Sequence, residues 1–346
     1  MTVSSPEVLD AAAVRARLSV SDAADALAAR LRDDPPAADR PPRTRVDTRA
    51  GQVLLMPDES RDHVGVKLVS IARGNPALGL PAIQGSYLLL DAETLTPSAV
   101  IDAAELTLLR TSAVSLLGVR LLRPVARPRV TVVGAGPQAI AHLRALATLD
   151  PAVLRLAVRD VSRADAARSV LTAAVPDIDV QVVVGLPASE SDVVVCATTS
   201  REPVFDSARL PDSAVVVAVG SHEPDVRELD TALLARAWVV VESRDVARRE
   251  AGDVVMAERE TGRDLVAADL GELARGDVVP DESRPRVLKT VGEAWEDLTV
   301  ATACWSDDPL APTSVGSWGR APSALLQTAR QVPGRYEHAL NARWNP

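Results

Sequence analysis

Arg129-Val-Thr-Val-Val-Gly134-Ala-Gly136-Pro137-Gln138-Ala139-Ile-Ala-His-Leu143 is the stretch from which the fold can be read. Residues 130–133 are β-branched throughout, and the run stops at a glycine. Gly134, Gly136 and Ala139 then stand at G-x-G-x-x-G/A spacing, and a helix-forming segment, residues 140–149, follows at once. A strand, a tight turn and a helix in that order are the setting in which such a pattern binds the pyrophosphate of a dinucleotide. Gly134 permits the turn, Gly136 lets the backbone approach a phosphate, and Ala139 lets the helix lie close on the strand. The free N–H groups at the helix N-terminus then face the anion. An ordinary turn between a buried strand and a helix is the alternative; the flanking elements favour the cofactor.

Composition bounds what surrounds this motif. A chain of 346 residues accommodates about two domains. It is 47% hydrophobic but only 2% aromatic, so the core must be built from Ala, Val and Leu. No run of 18 apolar residues is present, so no membrane span is expected. The start, Met-Thr-Val-Ser-Ser-Pro-Glu, lacks the basic and apolar regions of a signal peptide. Cys196 and Cys304 are too few for a disulfide framework or a zinc cluster, and no metal centre is expected. A reduced cytoplasmic protein fits these features. The net charge of −9 argues against a nucleic-acid partner, although a local basic pocket can still hold a small anion.

Periodicity predicts helices over residues 7–32, with a start at Ser21. It predicts antiparallel strands at 44–48, 52–56, 64–71 and 86–91, then a long helix over 103–122. The connector Arg123-Pro-Val-Ala-Arg-Pro128 is a domain boundary. Beyond it the pattern alternates: strand 129–133, helix 138–149, strand 154–158, helix 162–174, then strands at 180–184, 192–196, 214–219 and 238–241. Residues 268–276 and 290–304 read as helices. The fold class is therefore α/β, a Rossmann-type doubly wound parallel sheet with a second, α+β domain. The domains expected are 1–123, joined by the C-terminal segment 305–346, and 124–304.

Further motifs are spread along the chain: Met56-Pro57; Gly65-Val-Lys67-Leu-Val-Ser; Leu106-Thr-Leu-Leu-Arg110-Thr111-Ser-Ala113; Ala197-Thr198; Val219-Gly220-Ser221-His222, running on to Glu228-Leu-Asp230; and Lys289-Thr290-Val-Gly292-Glu-Ala-Trp-Glu-Asp297. With the glycine fingerprint, and in this order, they resemble the ornithine cyclodeaminase/μ-crystallin family over residues 43–301. The R-T-x-A segment and the G-A-G-x-Q-A fingerprint are specific as a pair.

The resemblance implies a carboxylate-binding trio, Arg43, Lys67 and Arg110. This agrees with the chemistry, since an Arg fork grips both carboxylate oxygens and a Lys adds a point charge or a proton. Lys67 interrupts an apolar strand, where it is either functional or an edge-strand solubility residue. Arg110 lies on an otherwise apolar helix, where a solvent-facing arginine is the other reading. Arg45 shares the strand face of Arg43, so the register there is open. On the cofactor side the resemblance implies that Gly134, Gly136, Pro137, Gln138 and Ala139 cradle the pyrophosphate. Thr111 and Thr198 match positions that touch the cofactor, Val219, Gly220 and Ser221 lie beside the nicotinamide, and Thr290 reaches its carboxamide. Asp160 can bind the ribose hydroxyls and favour NAD, or simply cap the next helix. Arg159 and Arg163 beside it leave NADP possible.

Two positions depart from the ornithine-cyclising members. Leu54 stands where they carry a Glu, and His222 where they carry an Asp; neither holds an ammonium as a carboxylate does. What remains is an NAD(P)H-dependent oxidoreductase acting on the C–N bond of a small α-imino or α-amino acid. Ketimine or cyclic imine reductases, amino-acid dehydrogenases and condensing dehydrogenases, which take an α-keto acid, all fit. A cyclodeaminase-type lyase with recycled NAD and a non-catalytic cofactor-dependent binding protein are the alternatives. His222 is either a proton donor or a loop histidine packed near the cofactor; His63, His142 and His338 are read as structural. Leu54, Leu80 and Ile83 are candidates for the pocket wall. The resemblance further implies a homodimer formed through the first domain.

Overall fold

Alternating apolar residues between positions 51 and 101 make a sheet with one face buried. The computed structural model describes residues 5–36 and 42–306. Its first half runs β1 (Glu7–Leu9), α1 (Ala11–Arg17), α2 (Val20–Asp33), β2 (Thr44–Thr48), β3 (Gly51–Glu59), β4 (His63–Ile71), β5 (Ile83–Asp91), β6 (Pro97–Asp102) and α3 (Ala103–Leu121). The sheet order is β1-β6-β5-β4-β3-β2, antiparallel except where β1 joins β6. Asp10, Ser19 and Asp102 cap α1, α2 and α3 by accepting a backbone N–H three residues on.

The second half runs β7 (Arg129–Val133), α4 (Pro137–Ala147), β8 (Val153–Val158), α5 (Val161–Ala174), β9 (Gln181–Val184), β10 (Val193–Cys196), β11 (Val215–Ala218), α6 (Thr231–Arg236), β12 (Trp238–Val241), α7 (Arg244–Glu250), α8 (Gly252–Thr261), β13 (Val266–Asp269), α9 (Leu270–Arg275), β14 (Arg286–Lys289) and α10 (Ala294–Trp305). Its strands form one parallel sheet in the order β13-β12-β14-β11-β10-β7-β8-β9. Val-rich β10, β11 and β12 are buried along their whole length, as strands covered on both faces must be. From β7 the order runs through β8 to one side and through β10 to the other. The crevice at the carboxyl ends of β7 and β10 is the switch point where ligands bind in such folds. The fold is the expected α/β arrangement.

Several elements were not legible in sequence. Residues 7–9 are a strand rather than helix, and β6, α6, α7, α8 and β13 were unread. The helix expected at 290–304 starts at Ala294, because β14 occupies 286–289 in the middle of the sheet. Both ends of β14 are charged and buried, Arg286 at 2% exposure and Lys289 at 1%. That disguises a core strand as a loop. Arg286 donates to the carbonyls of Leu122, Arg123 and Ser213. α10, which the expected boundaries place with the Rossmann half, packs Trp295, Leu298 and Ala301 into the core of the first sheet. α3 reaches both cores, with Leu106 in the first and Val119 beside Leu288 in the second.

Both sheets lie in one compact unit, Met1–Leu310; a second unit, Ala311–Pro346, falls outside the described residues. So does most of segment 305–346, with His338. Among the described residues no helix is long and apolar enough to cross a membrane, and no group of His, Cys, Asp and Glu could hold a metal ion.

Candidate active site

The buried face of β4 points Lys67 toward the first turn of α10, between its cross-strand neighbours Met56 and Tyr87. Its Nζ lies 2.6 Å from Asp297 Oδ2, and the two side chains are 3% and 0% exposed. Burial lowers the Lys67 pKa to about 8, Arg110 adds to the lowering, and Asp297 opposes it. Arg110 reaches the same turn from α3, with Nη1 2.8 Å from Glu296 Oε2 and Nε 3.3 Å from Asp297 Oδ1. Burial acts against the guanidinium charge, but Asp297, Glu296 and Glu242 outweigh it and raise the pKa. Gly292, at φ +79°, lies so close under this guanidinium that a Cβ there would fall 2.4 Å from Nη1. The Gly292 carbonyl accepts from Arg43 Nη2 at 2.8 Å, and Arg43 also pairs with Glu250 at 2.9 Å. Arg45 instead bonds Asp47 at the surface, 60% exposed, which separates the two arginines. The structure thus gathers Lys67 and Arg110 directly and Arg43 through Gly292.

The acidic partners were missed in sequence. Glu242 follows β12 directly and accepts from the N–H groups of Val291 and Gly292 at 2.8 and 3.0 Å. Its carboxyl hydrogen-bonds that of Glu296, and burial with this neighbour pushes Glu296 well above the ordinary carboxylate range. Two buried carboxyls in contact share a proton and titrate as a pair. Adjacent Glu296-Asp297 inside an otherwise apolar helix was the available signal.

On the cofactor side, Gly134 sits at φ +117°, and a Cβ would fall 2.4 Å from the Ala197 carbonyl. Gly136 is the N-cap of α4, Pro137 its first residue, and Ala139 is fully buried. Nothing lies within 4 Å of a Cβ built on Gly136, so space opens before the helix N-terminus. Gln138 Oε1 is buried without a partner. An open glycine cradle at a helix end fits a pyrophosphate.

Thr198, Val219–Ser221 and Thr290 follow the neighbouring strands β10, β11 and β14. The Thr290 N–H bonds the Ala218 carbonyl at 3.1 Å, and the Val219 N–H bonds that of Cys196 at 3.0 Å. Thr111, on α3 next to Arg110, turns its hydroxyl to the Thr107 carbonyl at 2.7 Å. Asp160 stands apart, beyond β8. It caps α5, accepting from the Arg163 N–H at 3.2 Å and the Ser162 hydroxyl at 2.5 Å, and the Ser162 bond holds its carboxyl below the usual range. Its side chain is 44% exposed, and Arg159 Nε and Arg163 Nε stand 3.7 and 3.9 Å from its Oδ2.

His222 is exposed, and its pKa is lowered by the walls around it and then by Arg43. His142 is fully buried between the Gln138 carbonyl and the Ser115 hydroxyl. Leu54 is buried on the Lys67 face of the sheet, whereas Leu80 and Ile83 are 51% and 46% exposed.

Known proteins resemble this chain in sequence and in fold. The Ornithine cyclodeaminase/mu-crystallin family model matches residues 4–307. The chain is 36% identical over 279 residues to Delta(1)-pyrroline-2-carboxylate reductase 2 of Burkholderia ambifaria, covering 76% of this chain and 83% of that protein. It is 32% identical over 253 residues to the ketimine reductase mu-crystallin of Mus musculus, covering 72% and 79%. An archaeal alanine dehydrogenase dimer with bound NAD superposes with TM-score 0.75 at 26% identity, covering 87% of this chain and 95% of that one. The chain belongs to the ornithine cyclodeaminase/mu-crystallin family.

Proposed function

We propose that the protein is an NAD(P)H-dependent reductase of small cyclic α-imino acids, of the pyrroline-2-carboxylate kind. The observation that carries this reading is the buried Lys67–Arg110 pair, joined through Gly292 to Arg43, in a chain with an open glycine cradle at the end of β7. The bound nicotinamide cofactor supplies a hydride to the imine carbon, and the imine nitrogen takes one proton. Arg110 and Arg43 hold the substrate carboxylate and orient that carbon. Lys67 holds a proton on Nζ below about pH 8 and delivers it to the nitrogen. Thr198, Val219, Gly220, Ser221, Thr290 and Thr111 line the cofactor, and Asp160 favours NAD.

The related reductases of Burkholderia ambifaria and Mus musculus are named for imine reduction, which supports this reading over cyclodeamination. Leu54 and His222 support it too, since neither supplies a carboxylate for a second amine. We assign residues 1–123 to a substrate and dimerisation domain and 124–304 to the cofactor domain, with α10 returning to the first core. Val53, Leu55, Val64, Val66, Leu68 and Leu88 point away from the buried face of the first sheet and retain solvent exposure. An apolar face of this kind is what a second copy covers. A cytoplasmic location goes with the reading.

The test is a panel of cyclic imines, and of α-keto acids with ammonia or amines, assayed by NADH and NADPH oxidation. Turnover restricted to cyclic α-imino acids supports the proposal. Turnover of keto acids with ammonia or amines would reassign it as a dehydrogenase, and cofactor binding without any turnover would make it a binding protein.

A further inference from the structure

β10, β11 and β14 end side by side, and each end carries positions assigned above to the cofactor: Thr198, Gly220–Ser221 and Thr290. All three ends are tied to one buried cluster, Glu228, Asp253 and Lys289, that has so far had no role. Glu228 is fully buried. Its Oε1 accepts from the Thr198 N–H at 2.8 Å and the Thr198 hydroxyl at 2.7 Å, while Oε2 accepts from the Gly220 N–H at 2.7 Å. Asp253 Oδ1 accepts from the N–H groups of Glu228 and Leu229 at 2.7 and 2.8 Å. Its Oδ2 accepts from the Ser221 hydroxyl at 2.6 Å and pairs with Lys289 Nζ at 3.0 Å. Lys289 also donates to the Ser221 carbonyl at 2.7 Å, and it immediately precedes Thr290.

Three ionisable groups this deeply buried are expensive, and apolar packing would serve plain stability as well or better. Their placement follows from the backbone. Past the strand ends, the N–H groups of Thr198 and Gly220 have no ladder partner, and an apolar side chain would leave both unpaired. The spacing has no slack: a Cβ on Gly220 would fall 2.1 Å from the Thr198 carbonyl and 2.5 Å from Glu228 Oε1. We propose that Glu228, Asp253 and Lys289 are positioning residues that lock the ends of β10, β11 and β14 into the surface on which the nicotinamide lies, and so set the geometry of hydride transfer. This rests on the reading of the site as a nicotinamide-dependent reductase.

The experiment uses the full chain carrying Glu228→Gln, with Ser221→Ala as a milder second variant that removes one hydroxyl from the same cluster. NADH affinity is read by fluorescence, and hydride transfer by the primary isotope effect with stereospecifically 4-deuterated NADH and Δ1-pyrroline-2-carboxylate. Melting temperature is followed alongside. Loss of hydrogen bonds to a charged group is expected to weaken NADH about tenfold in Glu228→Gln and less in Ser221→Ala. The isotope effect on kcat rises in both, while KM for the imino acid stays within about twofold. A purely structural role would lower the melting temperature and leave the isotope effect unchanged. Should Glu228→Gln not fold, Ser221→Ala carries the same test. A folded variant with wild-type NADH affinity and isotope effect overturns the proposal. A wild-type protein that binds no NADH brings down the cofactor reading as well, which separates the two failures.

Discussion

At the Lys67 ammonium, burial and Arg110 lower the pKa to about 8 while Asp297 opposes them. A lysine that has lost its proton neither attracts a carboxylate nor protonates an imine. The account therefore expects kcat/KM for the imino acid to fall as pH rises through about 8. Asp297→Asn removes an effect that raises the pKa, so this limb should move to lower pH; a limb that stays in place contradicts the assignment. Lys67→Ala should abolish turnover and leave NADH binding largely intact, because the cradle proposed for the dinucleotide, Gly134 to Ala139, lies apart from Lys67 in sequence and on the other sheet. His142 gives an independent test of burial. Its pKa is lowered from 6.5 to about 4, so the unfolded chain binds a proton there that the folded one does not. The stability this contributes is present above pH 6.5 and lost as pH falls towards 4, about 3 kcal/mol in all. Melting curves of His142→Gln should lack that component of the acid slope.

At the scale of elements, legibility followed burial of charge. β7 and α4 could be read because apolar periodicity and the glycine turn agree. β14 could not, because Arg286 and Lys289 bracket only two apolar residues, Val287 and Leu288, and both charges are satisfied by groups distant in sequence. Of the site, Lys67 stood out as a cation in an apolar strand, while its partner Asp297 lies 230 positions away (297 − 67) and only the fold joins them. The same holds for Glu228 and Asp253. Arg286→Met should therefore be costly, leaving the Leu122, Arg123 and Ser213 carbonyls unpaired, about 3 kcal/mol or more by denaturant unfolding. A loss below about 1 kcal/mol would mean that water replaces the guanidinium. Asp160→Ser tests the α5 terminus. Serine still caps the helix, so the melting temperature should stay close to that of the wild type. The preference for NADH over NADPH should narrow or reverse. A wild type that binds NADPH more tightly than NADH contradicts the role given to Asp160.

For the whole molecule, the account joins a cation-bearing sheet to a dinucleotide sheet through α3 and α10. The outer face of the first sheet is expected to be covered by a second copy, so light scattering at micromolar concentration should give twice the mass of the 346-residue chain. A monomer would remove that part of the account. The central claim is net reduction of a C=N bond without cyclodeamination. It is tested most directly by following NADH, proline and ammonia together, with Δ1-pyrroline-2-carboxylate in one reaction and ornithine with NAD in another. The account predicts one proline formed per NADH oxidised from the imine, and neither proline nor ammonia from ornithine. Conversion of ornithine to proline and ammonia without NADH consumption would contradict it, and with it the weight placed on Leu54 and His222.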